Sequence, residues 1–95
     1  FNVYPKEVET LIDDLDGVVE SAVIGVPHRD LGEAVIAVVV STSVAPDFVM
    51  IGLDGKIARF KQPKKVFVVD SLPRNTMGKV QKNQLRKRYF STWGA

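Results

Sequence analysis

Cysteine is absent from these 95 residues, and histidine occurs once, at His28. Without thiols there is no disulfide framework, and a single imidazole leaves a zinc or iron centre short of ligands, so no metal site is expected. Long apolar runs are missing as well: none approaches the roughly 20 residues that span a bilayer. The opening FNVYPKEVE has neither the basic start nor the apolar stretch of a secretory signal. Together these absences predict a soluble, cytoplasmic protein. The chain opens on Phe1 rather than methionine, which predicts one domain excised from something larger. A hydrophobic content of 45% suffices for one small core.

Acid is nearly absent from the second half. Residues 56–95 set Asp70 alone against eleven basic residues, whereas residues 1–55 set Lys6 and Arg29 against ten acids. The two parts carry −8 and +10, for the net charge of +2. A cation-rich half of this kind attracts phosphates, nucleotides or an acidic protein face. The alternative is that folding interleaves the halves and the charges neutralise each other.

Hydrophobic periodicity supplies the elements. Pro5 suits a first helical turn, and Val8, Leu11, Ile12 and Leu15 fall at i, i+3, i+4 and i+7, predicting a helix that ends at Asp16-Gly17. VVESAVIGV (18–26) and AVIAVVVS (34–41) are β-branched runs joined by PHRDLGE, and they read as adjacent antiparallel strands. The second is apolar almost throughout, so both its faces should be covered. Met50, Leu53, Ile57 and Phe60 keep helical spacing after Pro46-Asp47, although Gly52 and Gly55 each oppose a helix by about 1 kcal/mol. KVFVVD (65–70) reads as a third strand, and residues 82–90 as a short basic helix with Leu85 and Tyr89 inward. STWGA (91–95) reads as a fraying tail. The expected fold is α+β: a small, mainly antiparallel three-stranded sheet packed with helices, plus a protruding turn that carries Gly78-Lys79.

LPRNTMGKVQK (72–82) holds the chemistry. A phosphate loop would need glycine where Pro73 stands and Ser or Thr where Val80 stands, so that reading fails. His28 in a polar connection reads as a surface or structural residue, and Asp13, Asp14 and Asp16 as solvated acids at a helix end. What remains is Lys79, preceded by Gly78, with the turn-formers Asn75 and Thr76 and the cation Arg74 nearby: a long cationic side chain at a tip.

Three segments, FNVYPKEVE (1–9), VIGVPHRDLGEAVIAVVV (23–40) and FKQPKKVFVVDSLPRNTMGKVQKNQLR (60–86), resemble in order the C-terminal domain of the adenylate-forming enzymes: acyl-CoA synthetases, luciferase and peptide-synthetase adenylation domains. The first and last look closest to malonyl-CoA synthetases and related small-acid CoA ligases. The resemblance implies that residues 1–90 form the mobile lid of an AMP-forming acid–CoA ligase, followed by a tail at 91–95. It implies a large N-terminal domain that holds ATP or AMP, magnesium and the acid, and coenzyme A as second substrate. Lys79 matches the motif lysine that serves adenylation, with Gly78 and Thr76 supporting its loop. Phe1 and Asn2 match the segment that lines the CoA channel in the second orientation of the domain, and Lys56 and Lys61 are candidates for CoA phosphates. Alone, the chain should not adenylate anything. The pattern around Lys79 also resembles sites that bacterial protein acetyltransferases modify, which makes such an enzyme a candidate partner and the basic helix 82–90 a docking surface for it. The alternative reading is a small basic nucleic-acid-binding or protein-interaction module using Lys79, Lys82, Arg86, Lys87 and Arg88; few aromatic residues are free to serve it as stacking platforms.

Overall fold

The computed structural model describes residues 4–94. The elements follow the order α1 (Pro5–Asp13), β1 (Glu20–His28), β2 (Gly32–Val40), α2 (Pro46–Leu53), a 3-10 turn (Arg59–Lys61), β3 (Lys65–Val69) and α3 (Lys82–Arg88). The sheet runs β1-β2-β3, with β2 in the middle. β1 and β2 are antiparallel, Glu20 facing Val40 and His28 facing Gly32; β3 joins β2 in parallel, from Ile36 opposite Lys65 to Val40 opposite Val69. The expected α+β sandwich is therefore the observed one. The parallel pairing requires a crossover, which residues 41–64 provide with α2 inside it.

Alternation along β2 builds two cores. Ala37 and Val39 meet Val8, Ile12, Val49, Leu53 and Val66 on one face, beneath α1 and α2. Ile36, Val38 and Val40 meet Ala22, Ile24, Val26, Leu72 and Leu85 on the other, beneath α3 and the segment leading to it. A strand covered on both faces has no polar side to show, which is why AVIAVVV contains none.

Several boundaries differ from the expectation, each for a local reason. α1 closes at Asp13, three residues early, and turns carry residues 14–17 into β1. α2 stops at Leu53 because Asp54 is already extended, at φ −61° and ψ 128°, and a turn closed by Lys56 N–H to Leu53 O follows with Gly55 at φ +77° as its third residue, so the apparent periodicity to Phe60 crosses a helix end. Ile57 still packs on the α1 side, whereas Phe60 lies in the 3-10 turn. Gly52 lies against Leu15: a Cβ there would come within 2.8 Å of Leu15 Cδ2, and that side chain would have to shift. The glycines that argued against this helix thus mark a close approach of Leu15 and the turn that follows the helix.

Residues 91–94 do not fray. Trp93 packs on the α3-side core, its ring 5.0 Å from that of His28, and its carbonyl accepts from Arg29. His28 Nδ1 in turn accepts the backbone N–H groups of Asp30 and Leu31, so its role in the β1-β2 connection is structural.

The two halves of the charge pattern interleave. All three ion pairs among the described residues join an early acid to a late cation: Glu7 to Lys61, Glu9 to Lys82 and Glu20 to Arg74. Glu9 does double duty, since its Oε2 also accepts the Val23 N–H at 2.8 Å and so ties α1 to β1.

Asp13 is exposed, as the sequence suggests, but its carboxylate is engaged. Its carboxylate accepts the Ser21 hydroxyl at 2.7 Å, and partial burial, reinforced by Glu9 and Glu20, pushes its pKa above the usual 3.8 despite opposing help from Ser21 and Lys6. An acid whose folded pKa lies above its unfolded one binds more protons when folded, so its contribution is fully favourable below 3.8 and is lost as pH rises through the raised value. Asp13→Asn should therefore raise Tm relative to the parent at neutral pH, and the difference should shrink to nothing in melts taken below 3.8. A constant difference across that range would show that the effect comes from packing rather than charge.

Candidate functional site

Lys79 sits on a hairpin that leaves the sheet after β3 and returns into α3. Pro73 O accepts from Gln81 N at 2.8 Å, Arg74 bridges Val80 in antiparallel fashion, and Asn75 N–H donates to Lys79 O at 3.0 Å. The tip is a β-turn closed by Gly78 N–H to Asn75 O at 2.9 Å, followed by Gly78 itself at φ +83°. This succession of a turn and a left-handed residue is a common three-residue hairpin loop. A Cβ on Gly78 would meet nothing within 4 Å, so the glycine is there for its backbone angle and not for room.

Asn75 organises the tip. Its Oδ1 accepts the N–H groups of Met77 at 3.0 Å and Lys79 at 2.9 Å, while its own backbone bonds Gly78 and Lys79. Thr76, matched to the loop by resemblance, contributes no side-chain hydrogen bond among the described residues; the closure falls to Asn75. Arg74 Nη1 donates to Gly78 O at 2.6 Å, and Gln81 Nε2 to Lys79 O at 3.0 Å. Every backbone group of Lys79, together with the preceding carbonyl, is therefore satisfied inside the hairpin. Its side chain is exposed, and among the described residues its ammonium has no ion-pair or hydrogen-bond partner. Met77 beside it is 90% exposed.

The legs of the hairpin are anchored in apolar packing. Leu72 before it is buried, Val80 after it is half-buried, and both join Leu85 in the α3-side core. A rigid base thus carries a polar, self-closed tip.

The remaining candidates lie apart from this tip or are otherwise engaged. Lys61 is held by Glu7, and Lys82 by Glu9 at 2.7 Å. Arg88 lies over the Tyr89 ring, and Tyr89 stacks on Phe67 with centroids 4.5 Å apart, which commits that aromatic pair to packing. Arg86, with Lys64, lines a groove of about 700 Å³ between the start of α1 and the β1-β2 edge, which Lys79 does not border. Phe1 and Asn2 lie outside the described residues. Among the described residues no group of three or more His, Asp or Glu side chains is placed to hold a metal ion, and no helix is long and apolar enough to cross a membrane.

Sequence reasoning missed one partner of the tip. Glu20, which opens β1, receives Arg74 in an ion pair. It is 54 residues away in the chain, and only the sign of its charge pointed to it.

Known proteins share this fold and sequence. MatB from Rhodopseudomonas palustris superposes with a TM-score of 0.94 at 61% identity, over 98% of this chain and 19% of MatB. A CoA ligase of Rhodococcus jostii named for a methyl-dioxo-octahydroindenyl propanoate is 52% identical over 92% of this chain and 18% of its own length. The 4-chlorobenzoate–CoA ligase of an Arthrobacter species is 44% identical over 90% and 17%. The chain thus spans about a fifth of the relatives it matches. Residues 7–79 match the family model for the AMP-binding enzyme C-terminal domain, and the chain belongs to that family.

Proposed function

We propose that this chain is the mobile catalytic lid of an ATP-dependent acyl-CoA synthetase that acts on malonate or a similar small acid in the cytoplasm. The observation that carries the reading is the hairpin tip: a backbone with every bond around Lys79 satisfied, and an ammonium with no partner among the described residues. A desolvated or paired lysine would serve the domain's own stability; this one is held ready for charge on another surface.

The large domain of such an enzyme holds ATP, magnesium and the acid. In the first orientation of the lid, the acid's carboxylate attacks the α-phosphorus and pyrophosphate leaves with its bonding electrons. Negative charge then crowds between two anionic reactants, and the Lys79 ammonium stabilises that arrangement more than the separated reactants. In the second orientation Lys79 withdraws and the segment at Phe1 and Asn2 lines the channel for CoA. The thiol attacks the acyl carbonyl, and AMP departs. The likeness to malonyl-CoA synthetases in FNVYPKEVE and LPRNTMGKVQK supports malonate.

The same exposure makes Lys79 open to regulation. Acetylation would remove the charge that the first step uses, and a protein acetyltransferase would meet an unpaired lysine on a protruding turn, with the basic helix α3 behind it as a docking surface. In an intact ligase carrying this domain, malonate should support ATP–pyrophosphate exchange, and treatment with acetyl-CoA and an acetyltransferase should silence exchange in proportion to Lys79 modification seen by mass spectrometry. Label confined to other lysines would remove acetylation from the account, and exchange with larger acids but not malonate would remove the substrate.

A further inference from the structure

We infer that Arg74 and Glu20 are positioning residues for the Lys79 ammonium, an inference that rests on the adenylation role proposed above. The peptide between Gly78 and Lys79 sets the direction in which the Lys79 side chain leaves the backbone. Its N–H is held locally by Asn75 Oδ1 at 2.9 Å. Its carbonyl is held by Arg74 Nη1 at 2.6 Å, and the other arm of the same guanidinium pairs with Glu20 on β1. Asn75 moves with the tip, so its bonds close the turn without orienting it. The Arg74 fork is different, because one arm grips the tip and the other grips the sheet.

Leu72 and Val80 anchor the base of the hairpin in the core, but beyond them, among the described residues, this link alone joins the peptide before Lys79 to the body of the domain. The side chains of Arg74 and Glu20 are 42% and 31% exposed, a setting in which an ion pair adds little to global stability. Its effect is on direction. A misplacement of about 1 Å in a reacting constellation can lower a rate by about 100-fold.

The test uses an intact ligase that carries this domain, with the two half-reactions measured separately. Arg74→Met should lower kcat for acyl-adenylate formation by about 10- to 100-fold with KM for ATP and Tm nearly unchanged, while thioester formation from supplied acyl-adenylate stays intact. Arg74→Lys, which keeps the charge but cannot reach both partners as a planar fork, should fall between, and Glu20→Gln should show a milder loss of the same kind. In a Lys79→Ala background, Arg74→Met should cause no further loss, because its effect passes through Lys79. An undiminished adenylation rate in Arg74→Met, or an equal loss with and without Lys79, overturns the brace alone. Full adenylation in Lys79→Ala overturns the underlying reading and the brace with it.

Discussion

Replacing Lys79 by alanine in an intact ligase carrying this domain is expected to lower acyl-adenylate formation by about 10²- to 10³-fold, while thioester formation from supplied acyl-adenylate is largely retained. The asymmetry follows from where the charge is needed. Carboxylate attack on a phosphate brings two anions together, and a cation held there acts on the transition state alone; thiol attack on an acyl-adenylate creates no such crowding at the same place. The protein should fold unchanged, because the Lys79 backbone is bonded by Asn75 and Gln81, whose contacts do not involve its side chain. Pyrophosphate release and CoA-thioester formation, followed in separate assays, check both halves. Equal loss in the two, with an unaltered melting curve, would contradict the role given to Lys79.

The second large effect concerns stability. Leu85 is fully buried on α3 and holds the helix to Ala22, Ile24, Ile36 and Val38, and it shares that core with the two feet of the hairpin, Leu72 and Val80. Leu85→Ala removes three heavy atoms' worth of packing from a fully buried site, so equilibrium urea unfolding should show a loss of about 2–5 kcal/mol at nearly constant m. Tm should fall by roughly 10 °C or more for a chain of this size. Ile51→Ala, at a side chain 74% exposed on α2, should change stability by less than about 0.5 kcal/mol. A Leu85 variant as stable as the Ile51 variant would mean that α3 contributes little to the core.

Strands were the most legible part of the sequence. β-branched runs with a Pro-Asp-Gly connection mark β1 and β2, and the missing polar positions of β2 predict two covered faces, as found. Helix ends were less so. The repeat that begins with Met50 and Leu53 continues by coincidence to Ile57 and Phe60, and the turn at Asp54 and Gly55 breaks it. Trp93 was unreadable because its partners, His28 and Arg29, lie more than sixty residues earlier. The tip was half legible. Gly78, Lys79 and Asn75 interact within four residues, so their chemistry is written locally. The Glu20–Arg74 pair was not, since any of ten acids in the first 55 residues could have met Arg74 as far as spacing tells.

The Glu9 carboxylate has a consequence for how copies of the protein meet. β1 is an edge strand, and a row of free N–H groups along such an edge is a template on which a second chain can add a strand. Near the middle of this one, the Val23 N–H is already taken by Glu9, whose charge is in turn matched by Lys82. An incoming strand would have to displace the Glu9 carboxylate from Val23 and break its pair with Lys82, so this edge is guarded against strand addition along the strand that begins with Glu20, the partner of Arg74.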